Sequence, residues 1–295
     1  MRILLTGRNG QVGFELQRAL SPLGEIVAVG RRECDLADSD GLRALIRKNQ
    51  PDIVVNAAAY TAVDKAESEL AEAFAVNGTA PGVLAEEAAE RKALFIHYCT
   101  DYVYDGSSTD WYREDDKPNP LNVYGASKLE GSRAIERAAV NHLIFRTSWV
   151  FSAHGANFVK TILRLAAERE QLNIVADQVG APTSAALIAD VTAQIVGQYR
   201  RTGGAGFPYG LYHLAATGTT TWYDFSQTIV STALRAGKVL RLKPDTMYPV
   251  SSAEYPLPAA RPANSRLSTM KLRQTFGLHL PPWQNGLDHV LQQIL

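Results

Sequence analysis

Short apolar runs alternate with amphipathic stretches through the first half of the chain. The apolar runs are rich in Ile, Leu and Val and bounded by turn residues, as expected for strands buried on both faces of a parallel sheet. The stretches between them place apolar residues at helical spacing. The predicted strands are 2–6, 26–29, 53–56, 94–98 and 142–146, and the predicted helices are 13–20, 39–49, 67–76, 79–91 and 122–139.

The regular alternation of apolar runs and amphipathic stretches ends after residue 146. The predicted elements there are helix 157–169, strand 172–175, helix 184–199, a glycine-rich loop at 201–210, helix 222–236, a proline-dense run at 248–262, and two short helices after Ser268 and Pro282. Strands alternating with helices predict an α/β fold with a doubly wound parallel sheet and a smaller, discontinuous α/β lobe. We expect residues 1–150 plus about 184–205 to form the larger domain, and about 151–183 and 206–295 to form the smaller lobe.

Composition and charge exclude several classes of protein. The 295 residues contain 30 Lys+Arg and 30 Asp+Glu, and a formal net charge of +0 argues against a nucleic-acid partner. Cys34 and Cys99 are too few for a disulfide framework. The N-terminus has no signal-peptide pattern, and no apolar run approaches the roughly 18 residues that cross a bilayer. We therefore expect a cytoplasmic protein without a membrane partner, either a monomer or a homodimer.

A glycine-rich turn follows the first predicted strand. Gly7, Gly10 and Gly13 form GxxGxxG where the chain passes from strand to helix. In this position backbone N–H groups and a helix N-terminus bind a pyrophosphate. The alternative is a tight turn without a ligand, but the repeated strand–helix units that follow favour a nucleotide site. We therefore predict that the larger domain is a Rossmann-type, dinucleotide-binding domain.

The end of the second predicted strand bears on the choice of coenzyme. An acidic residue usually binds the adenosine ribose there, whereas this chain has Gly30, Arg31 and Arg32. Guanidinium groups suit a 2′-phosphate, which favours NADPH, with NADH as the other option. The alternative is that both arginines are solvated turn residues. Asp35 and Leu36 are expected to flank the adenine.

Three side chains form a candidate catalytic group. Tyr124 and Lys128 are four residues apart on a predicted helix and therefore share one face. An ammonium group near a tyrosine stabilises its phenolate and prepares the phenol for proton transfer. Thr100 follows the fourth strand, where its hydroxyl would donate a hydrogen bond to a carbonyl or oxyanion. The alternatives are an incidental pair on an exposed helix and a turn-capping hydroxyl. None of the six histidines has metal-ligand spacing, so we predict no catalytic metal.

The glycine turn, the threonine and the YxxxK pair together resemble the extended short-chain dehydrogenases/reductases. Within that family the chain is similar to the dTDP-4-dehydrorhamnose reductases over stretches such as LLTGRNGQVGFELQRAL, HYCTDYVYDG and LNVYGASKLEGSRAI. The resemblance implies an oxidoreductase that reduces the C4 ketone of dTDP-4-dehydro-L-rhamnose to dTDP-L-rhamnose. This is the last step of dTDP-rhamnose synthesis, which supplies carbohydrates such as the lipopolysaccharide O-antigen.

The resemblance also implies roles for individual residues. Thr100, Asp101 and Trp149 match substrate contacts, Tyr124 matches the proton donor, and Lys128 matches the residue that holds the nicotinamide ribose. Matches to cofactor contacts occur at Gly10, Gln11, Val12, Asp35, Leu36, Ala59, Tyr60 and Thr61.

Two of the matches leave alternatives open, and two more concern other positions. Trp149 either stacks on the thymine or sugar, or belongs to the core. Arg261 either pairs with the diphosphate or packs against the other lobe. Some members of the family form dimers that bind Mg²⁺ through glutamates, and Glu15 matches one such position. The turn DQVGAPT at 177–183 resembles one that lies near the substrate.

Two other functions fit the same motifs. One is a reductase or epimerase of another nucleotide sugar, which would use the same catalytic residues. The other is a non-catalytic regulatory subunit that senses NADP(H). A sensor needs no proton donor, so the presence of Thr100, Tyr124 and Lys128 together favours an enzyme.

Overall fold

The larger domain is built on one six-stranded parallel sheet. A computed structural model describes residues 1–138 and 141–295. The order across the sheet is β10-β5-β4-β3-β1-β2, with all neighbours parallel. The strands, numbered in chain order, are β1 Arg2–Thr6, β2 Glu25–Val29, β3 Ile53–Asn56, β4 Leu94–Thr100, β5 His142–Thr147, β6 Val150–Phe151, β7 Leu172–Val175, β8 Val179–Gly180, β9 Thr183–Ser184, β10 Gly210–His213, β11 Thr220–Thr221 and β12 Met247–Val250.

Some of the helices cover both faces of this sheet, and others form the smaller lobe. They are α1 Gln11–Leu20, α2 Ser39–Asn49, α3 Val63–Ala66, α4 Leu70–Phe74, α5 Ala80–Glu90, α6 Val123–Ala138, α7 Phe158–Glu168, α8 Ala185–Thr202, α9 Trp222–Arg235, α10 Met270–Phe276 and α11 Trp283–Ile294. The single helix predicted over 67–76 is wrong, because the chain forms α4 and then a π-helical turn at Ala75–Thr79. Residue 139, the last of the predicted helix 122–139, lies outside the described residues.

Alternate residues of β1 show how the two faces are buried. Ile3 and Leu5 pack in the layer of α1 and α8, whereas Leu4 packs in the layer of α2 and α5. All seven residues of β4 are buried, because this strand lies inside the sheet with helices on both sides. The predicted α/β fold with a doubly wound, Rossmann-type parallel sheet is confirmed.

The edge strand β10 comes from a segment that the sequence analysis assigned to the smaller lobe. It pairs with β5 from Leu143↔Gly210 to Arg146↔His213. Leu272 and Phe276 of α10 also pack in the core layer of α1 and α8. These two elements therefore lie with the sheet. The four residues of β10 follow a glycine-rich segment and carry too short an apolar pattern to stand out in the sequence.

The smaller lobe has a core of its own. Its short strands pair as β6 with β9, β7 with β12 and β8 with β11. Phe151, Phe225 and Trp283 lie at the centre of the apolar cluster that α7, α9 and α11 share. Within residues 1–138 and 141–295, no helix is both long and apolar enough to span a membrane.

Candidate active site at the carboxyl edge of the sheet

A cleft of about 740 Å³ opens at the carboxyl ends of β1, β3 and β4 and extends to the smaller lobe. Open α/β sheets bind their ligands at this edge. Three of the residues predicted to bind ligands, Gly13, Arg32 and Arg261, do not line it. The predicted residues that do line it are Gly7, Gly10, Gln11, Val12, Arg31, Asp35, Leu36, Ala59, Tyr60, Thr61, Thr100, Asp101, Tyr124, Lys128 and Trp149.

The glycine turn has the shape that a diphosphate requires. Gly7 adopts φ +76°, and a Cβ there would lie 2.6 Å from the backbone N of Ala58. A Cβ on Gly13 would lie 2.0 Å from the carbonyl oxygen of Gly7, so Gly13 allows α1 to pack on the turn. The N-terminus of α1 at Gln11 therefore faces the cleft with free backbone N–H groups. A dinucleotide cofactor fits this cradle.

Gln11 connects the glycine turn to the smaller lobe. Its Oε1 accepts hydrogen bonds from Ser152 Oγ at 3.2 Å and from Asn157 Nδ2 at 3.0 Å. Its Nε2 donates to the carbonyl oxygen of Val150 at 3.4 Å. The loop after β6 is thus fastened to the residue that begins α1.

Arg31 is the cationic side chain at the adenosine end of the cleft. It is exposed and forms ion pairs with Glu72 at 3.0 Å and Asp35 at 3.4 Å. Arg32 is also exposed but does not line the cleft. The structure therefore offers one guanidinium group, rather than two, to a 2′-phosphate.

An acidic side chain does occupy the end of β2, although the sequence analysis found none there. Glu33 folds back so that its carboxylate accepts a hydrogen bond from Gly30 N–H at 2.8 Å, and it pairs with Arg8 at 2.7 Å. That backbone hydrogen bond is the main reason that the pKa of Glu33 is lowered. The sequence shows Glu33 three residues past the expected position, but only the turn brings its carboxylate back to the strand.

Tyr124 lies near the N-terminus of α6 and faces Thr100 at the end of β4. Gly125 permits this approach, because a Cβ there would lie 2.1 Å from the carbonyl oxygen of Tyr102. Burial raises the pKa of Tyr124 above its ordinary value, and a hydrogen bond with Thr100 acts in the opposite direction. Thr100 Oγ1 accepts from Tyr102 N–H at 3.2 Å and donates to Asp101 Oδ1 at 3.0 Å. The phenol therefore stays protonated, as a proton donor requires.

Lys128 extends from α6 to the floor of the cleft and is only 2% exposed. Its Nζ donates to the carbonyl oxygen of Tyr98 at 2.6 Å and lies 3.2 Å from His97 Nε2. Burial lowers the pKa of Lys128 to about 8. His97 has no metal-ligand spacing in the sequence, and its contact with Lys128, a residue on another element, leaves no signal there.

Asp101 is a buried carboxylate beside Thr100. It is 3% exposed, and burial raises its pKa to about 6, although hydrogen bonds with Ser265 and Thr100 oppose the shift. Its Oδ2 has no hydrogen-bond partner within the protein. Asp101 lines the cleft, and a buried oxygen without a partner is a candidate acceptor for a donor that reaches it.

Trp149 and Trp222 form the wall of the cleft on the side of the smaller lobe. Trp149 adopts φ +48°, and its indole lies so close to Gly180 that a Cβ there would be 2.6 Å from Cε2. Trp222 Nε1 donates to Gln178 Oε1 at 3.1 Å. The predicted turn at 177–183 therefore supports both indoles. Trp222 was not predicted from the sequence, and it lines the cleft from the start of α9.

Arg261 binds another protein side chain rather than facing the cleft. Its Nη1 and Nη2 donate to the two carboxylate oxygens of Asp64 at 2.6 and 2.8 Å. Asp64 belongs to α3, on the larger domain. This geometry favours the second of the two alternatives for Arg261, a contact with the other lobe.

Glu15 is engaged in an ion pair with Arg18 at 3.2 Å, and Arg18 also binds Asp190 at 2.8 Å. Among the residues that the structure describes, no group of three or more His, Cys, Asp or Glu side chains is placed to hold a metal ion. The match of Glu15 to a Mg²⁺ position therefore gains no support from this structure.

Comparison with known proteins decides the family. Residues 1–295 match the model of the family described as RmlD substrate binding domain. The chain is 47% identical to the dTDP-4-dehydrorhamnose reductase of Burkholderia thailandensis, over 100% of this chain and 99% of that protein. It is also 47% identical to the enzyme of Escherichia coli K12, over 100% of this chain and 98% of that protein. The chain belongs to the dTDP-4-dehydrorhamnose reductase family. The predicted membership is confirmed.

Solved structures of dTDP-4-dehydrorhamnose reductases share the architecture. The protein from Clostridium acetobutylicum superimposes with a TM-score of 0.91 at 32% identity, over 100% of this chain and 99% of that chain. The protein from Bacillus anthracis, solved in complex with NADP, has a TM-score of 0.88 at 33% identity, over 99% of both chains. The Thermus thermophilus UDP-glucose 4-epimerase, at 18% identity and a TM-score of 0.79, shares the fold.

Proposed function

We propose that this protein catalyses the NADPH-dependent reduction of the C4 ketone of dTDP-4-dehydro-L-rhamnose to dTDP-L-rhamnose. The observation that carries the proposal is the arrangement of Thr100, Tyr124 and Lys128 beside a diphosphate-binding turn. It occurs in a chain that matches dTDP-4-dehydrorhamnose reductases over its full length. The Bacillus anthracis relative was solved with NADP, which supports this coenzyme.

The larger domain would hold the cofactor along the carboxyl edge of its sheet. The backbone N–H groups at Gln11 and Val12, in the first turn of α1, bind the diphosphate, and Arg31 binds the 2′-phosphate. Lys128 holds the nicotinamide ribose. When bound, the coenzyme supplies the hydride that reduces the ketone.

Tyr124 is the proton donor for the developing alkoxide. Its raised pKa keeps the proton on the phenol until negative charge develops on the substrate oxygen. Thr100 orients the phenol, because its hydroxyl lies between Tyr124 and Asp101. Rotation of that hydroxyl away from Asp101 provides a second donor to the same oxygen.

The smaller lobe would bind the sugar nucleotide. Trp149 and Trp222 present aromatic surface to the base or the sugar. Asp101 Oδ2 accepts a hydrogen bond from a sugar hydroxyl, which gives this buried oxygen the partner that it lacks. We assign the enzyme to the cytoplasm, as a monomer or a homodimer, and sedimentation velocity distinguishes the two oligomeric states.

A spectrophotometric assay tests the proposal. Purified protein is incubated with NADPH and a panel of 4-keto nucleotide sugars, while the loss of NADPH absorbance is followed and the products are identified by mass. We expect turnover to be fastest with dTDP-4-dehydro-L-rhamnose. An isomeric product without NADPH consumption would identify an epimerase. NADPH binding without turnover on any sugar would identify a regulatory subunit.

A further inference from the structure

A chain of buried polar side chains leads from β1 across the sheet to Lys128. Thr6 Oγ1 donates to Asn56 Oδ1 at 2.6 Å, and Asn56 Nδ2 lies 3.1 Å from His97 Nδ1. His97 Nε2 in turn lies 3.2 Å from Lys128 Nζ. Thr6, Asn56 and His97 lie on the adjacent strands β1, β3 and β4, and each is at most 2% exposed. Every proton in this chain therefore needs an acceptor within the protein.

The orientation of the Asn56 amide determines where the proton of His97 lies. Asn56 Oδ1 accepts from the backbone N–H of Ala58 at 3.3 Å, and a backbone N–H is always a donor. The amide Nδ2 therefore faces His97 and donates to Nδ1. A neutral imidazole that accepts at Nδ1 carries its proton on Nε2.

That proton points at Lys128. An amine has a lone pair that accepts a hydrogen bond from Nε2–H, whereas an ammonium group has only donors. A doubly protonated imidazole is disfavoured, because burial and the nearby lysine lower the pKa of His97 well below its ordinary value. The observed arrangement therefore matches an uncharged Lys128.

The other groups around Lys128 do not compensate for an ammonium charge. On β4 its neighbours are the carbonyl of Tyr98, His97 and the thiol of Cys99, and on its own helix the phenol of Tyr124 lines the same cleft. Asp101 lies beside Thr100, whose hydroxyl donates to Oδ1 at 3.0 Å. Among the described residues, no carboxylate lies within 4.0 Å of Lys128 Nζ. Burial lowers the pKa of Lys128, which also favours the uncharged amine.

We propose that His97 is a positioning residue that favours the uncharged amine form of Lys128 in the unliganded protein and changes tautomer when Lys128 takes up a proton on cofactor binding. The proposal rests on the proposed function, in which Lys128 binds the nicotinamide ribose. The proton comes from solvent: His97 passes its Nε2 proton to Nζ and gains one at Nδ1, so that one proton is added in total. Asn56 must then reverse its amide to accept from Nδ1–H.

Reversal of the Asn56 amide affects the cofactor site directly. It turns the amide NH₂ toward Ala58 N–H, and the Ala58 hydrogen bond is lost. Ala58 lines the cleft beside the glycine turn. Phosphate groups bound there favour a cation on Lys128. Cofactor binding and the charge of Lys128 are thereby linked through Asn56 and His97. Neither of these side chains lines the cleft.

Nitrogen NMR of histidine-labelled protein measures the tautomer. At about pH 8.5, unliganded wild type should show His97 as the Nε2–H tautomer, with its signal assigned from a His97→Gln variant. Lowering the pH should convert this signal to the Nδ1–H tautomer without double protonation, and saturating NADP⁺ should move the conversion to higher pH. An Nδ1–H tautomer throughout the titration, or a conversion unaffected by NADP⁺, would overturn the proposal.

Calorimetry of NADP⁺ binding in buffers with different ionisation enthalpies counts the protons taken up. We expect wild type to take up as much as one proton per site at about pH 8.5. Asn56→Asp should reduce this uptake severalfold, because a carboxylate accepts from Nδ1–H and lets Lys128 become charged before the cofactor binds. Lys128→Met should show no uptake, and wild-type uptake in that variant would overturn the assignment to Lys128.

A double variant separates the tautomer change from simple charge attraction. In a His97→Gln background, Asn56→Asp should leave the proton uptake unchanged, because the imidazole that connects Asn56 to Lys128 is gone. An equal effect of Asn56→Asp in both backgrounds would overturn the role of His97. Neither experiment uses a sugar nucleotide. A protein that shows the tautomer change but reduces no sugar would overturn the proposed function alone.

Discussion

The indole of Trp149 lies flat against that of Trp222, with ring centroids 3.6 Å apart and ring planes 11° apart. Trp149 precedes β6, and Trp222 begins α9, so two distant segments of the chain form one aromatic surface. Gly180 of β8 supports this surface from behind. The position of the aromatic surface therefore depends on a residue with no side chain of its own.

Gly180→Ala should weaken binding of the sugar nucleotide. The added Cβ would lie 2.6 Å from Trp149 and would displace the indole. We expect KM for the sugar nucleotide to rise about tenfold, with the Kd for NADPH unchanged, as measured by steady-state kinetics and fluorescence titration. Gly197→Ala is the matched control, because its Cβ meets nothing closer than 3.7 Å. A KM that stays at the wild-type value would show that the substrate does not use this surface.

Tyr124→Phe should remove the proton donor while leaving the shape of the cleft intact. Because general acid catalysis contributes roughly 10²–10⁴-fold, kcat should fall by about that factor. NADPH affinity should remain at the wild-type value. Tyr199→Phe, on α8 in the larger domain, is the control for loss of a phenol elsewhere. Turnover near the wild-type rate in Tyr124→Phe would exclude this residue from the mechanism.

Arg31→Ala should reduce the preference for NADPH, whereas Arg32→Ala should not. Only Arg31 lines the cleft, where a charge-assisted hydrogen bond of about 1.5–3 kcal/mol corresponds to roughly a tenfold to hundredfold preference. Arg31 is 75% exposed and paired with Asp35 and Glu72. We therefore expect a preference for NADPH near tenfold, which becomes smaller at high salt. The measurement is kcat/KM with NADPH and NADH. Equal losses in the two variants would contradict the assignment.

Arg261 and Asp64 should contribute to stability as a pair. Arg261→Lys and Asp64→Asn should each lower the free energy of unfolding by about 1–2 kcal/mol, a moderate value because Asp64 is 39% exposed. The double variant should lose little more than either single variant in urea titrations. If Arg261 instead binds the diphosphate, Arg261→Lys will raise KM for the sugar nucleotide and Asp64→Asn will not.

Asp101→Asn should change how stability depends on pH. Burial raises the pKa of Asp101 from 3.8 to about 6, so folding favours its neutral form. The stabilisation is fully present below pH 3.8 and is lost as the pH rises through about 6. Relative to wild type, the Asn variant should gain up to about 3 kcal/mol in unfolding free energy between pH 4 and pH 7. If the difference in unfolding free energy between the two proteins stays constant across this pH range, the raised pKa of Asp101 is contradicted.

The sequence predicted the central part of the fold because there the local pattern and the burial agree. The run Ile53–Asn56 is apolar up to its last residue and fills a strand inside the sheet, as its pattern indicates. Gly210–His213 also forms a strand, but Gly210 and His213 interrupt the apolar pattern, and β5 supplies the pairing. Edge strands of this kind are determined by tertiary contacts rather than by periodicity.

In the candidate site, too, the residues that local pattern determines were predicted, and those that tertiary contacts determine were not. Tyr124 and Lys128 could be paired from the sequence, because helical geometry places residues four apart on one face. His97 and Glu33 could not be placed in this way. His97 contacts Lys128 across two elements, and Glu33 reaches Gly30 only through the conformation of its turn. Side chains whose partners depend on packing or on turn geometry leave no periodic signal.

The late position of β10 in the chain has a consequence for biosynthesis. During translation β5 emerges more than sixty residues before Gly210–His213, the strand that covers its open edge. α8, which packs on α1, also follows residues 151–184 of the smaller lobe in sequence. A nascent chain that ends near residue 150 would expose a strand edge and the part of one sheet face that α8 and α10 cover, both prone to aggregation. The cofactor domain must therefore complete its folding after the ribosome has translated more than two-thirds of the protein.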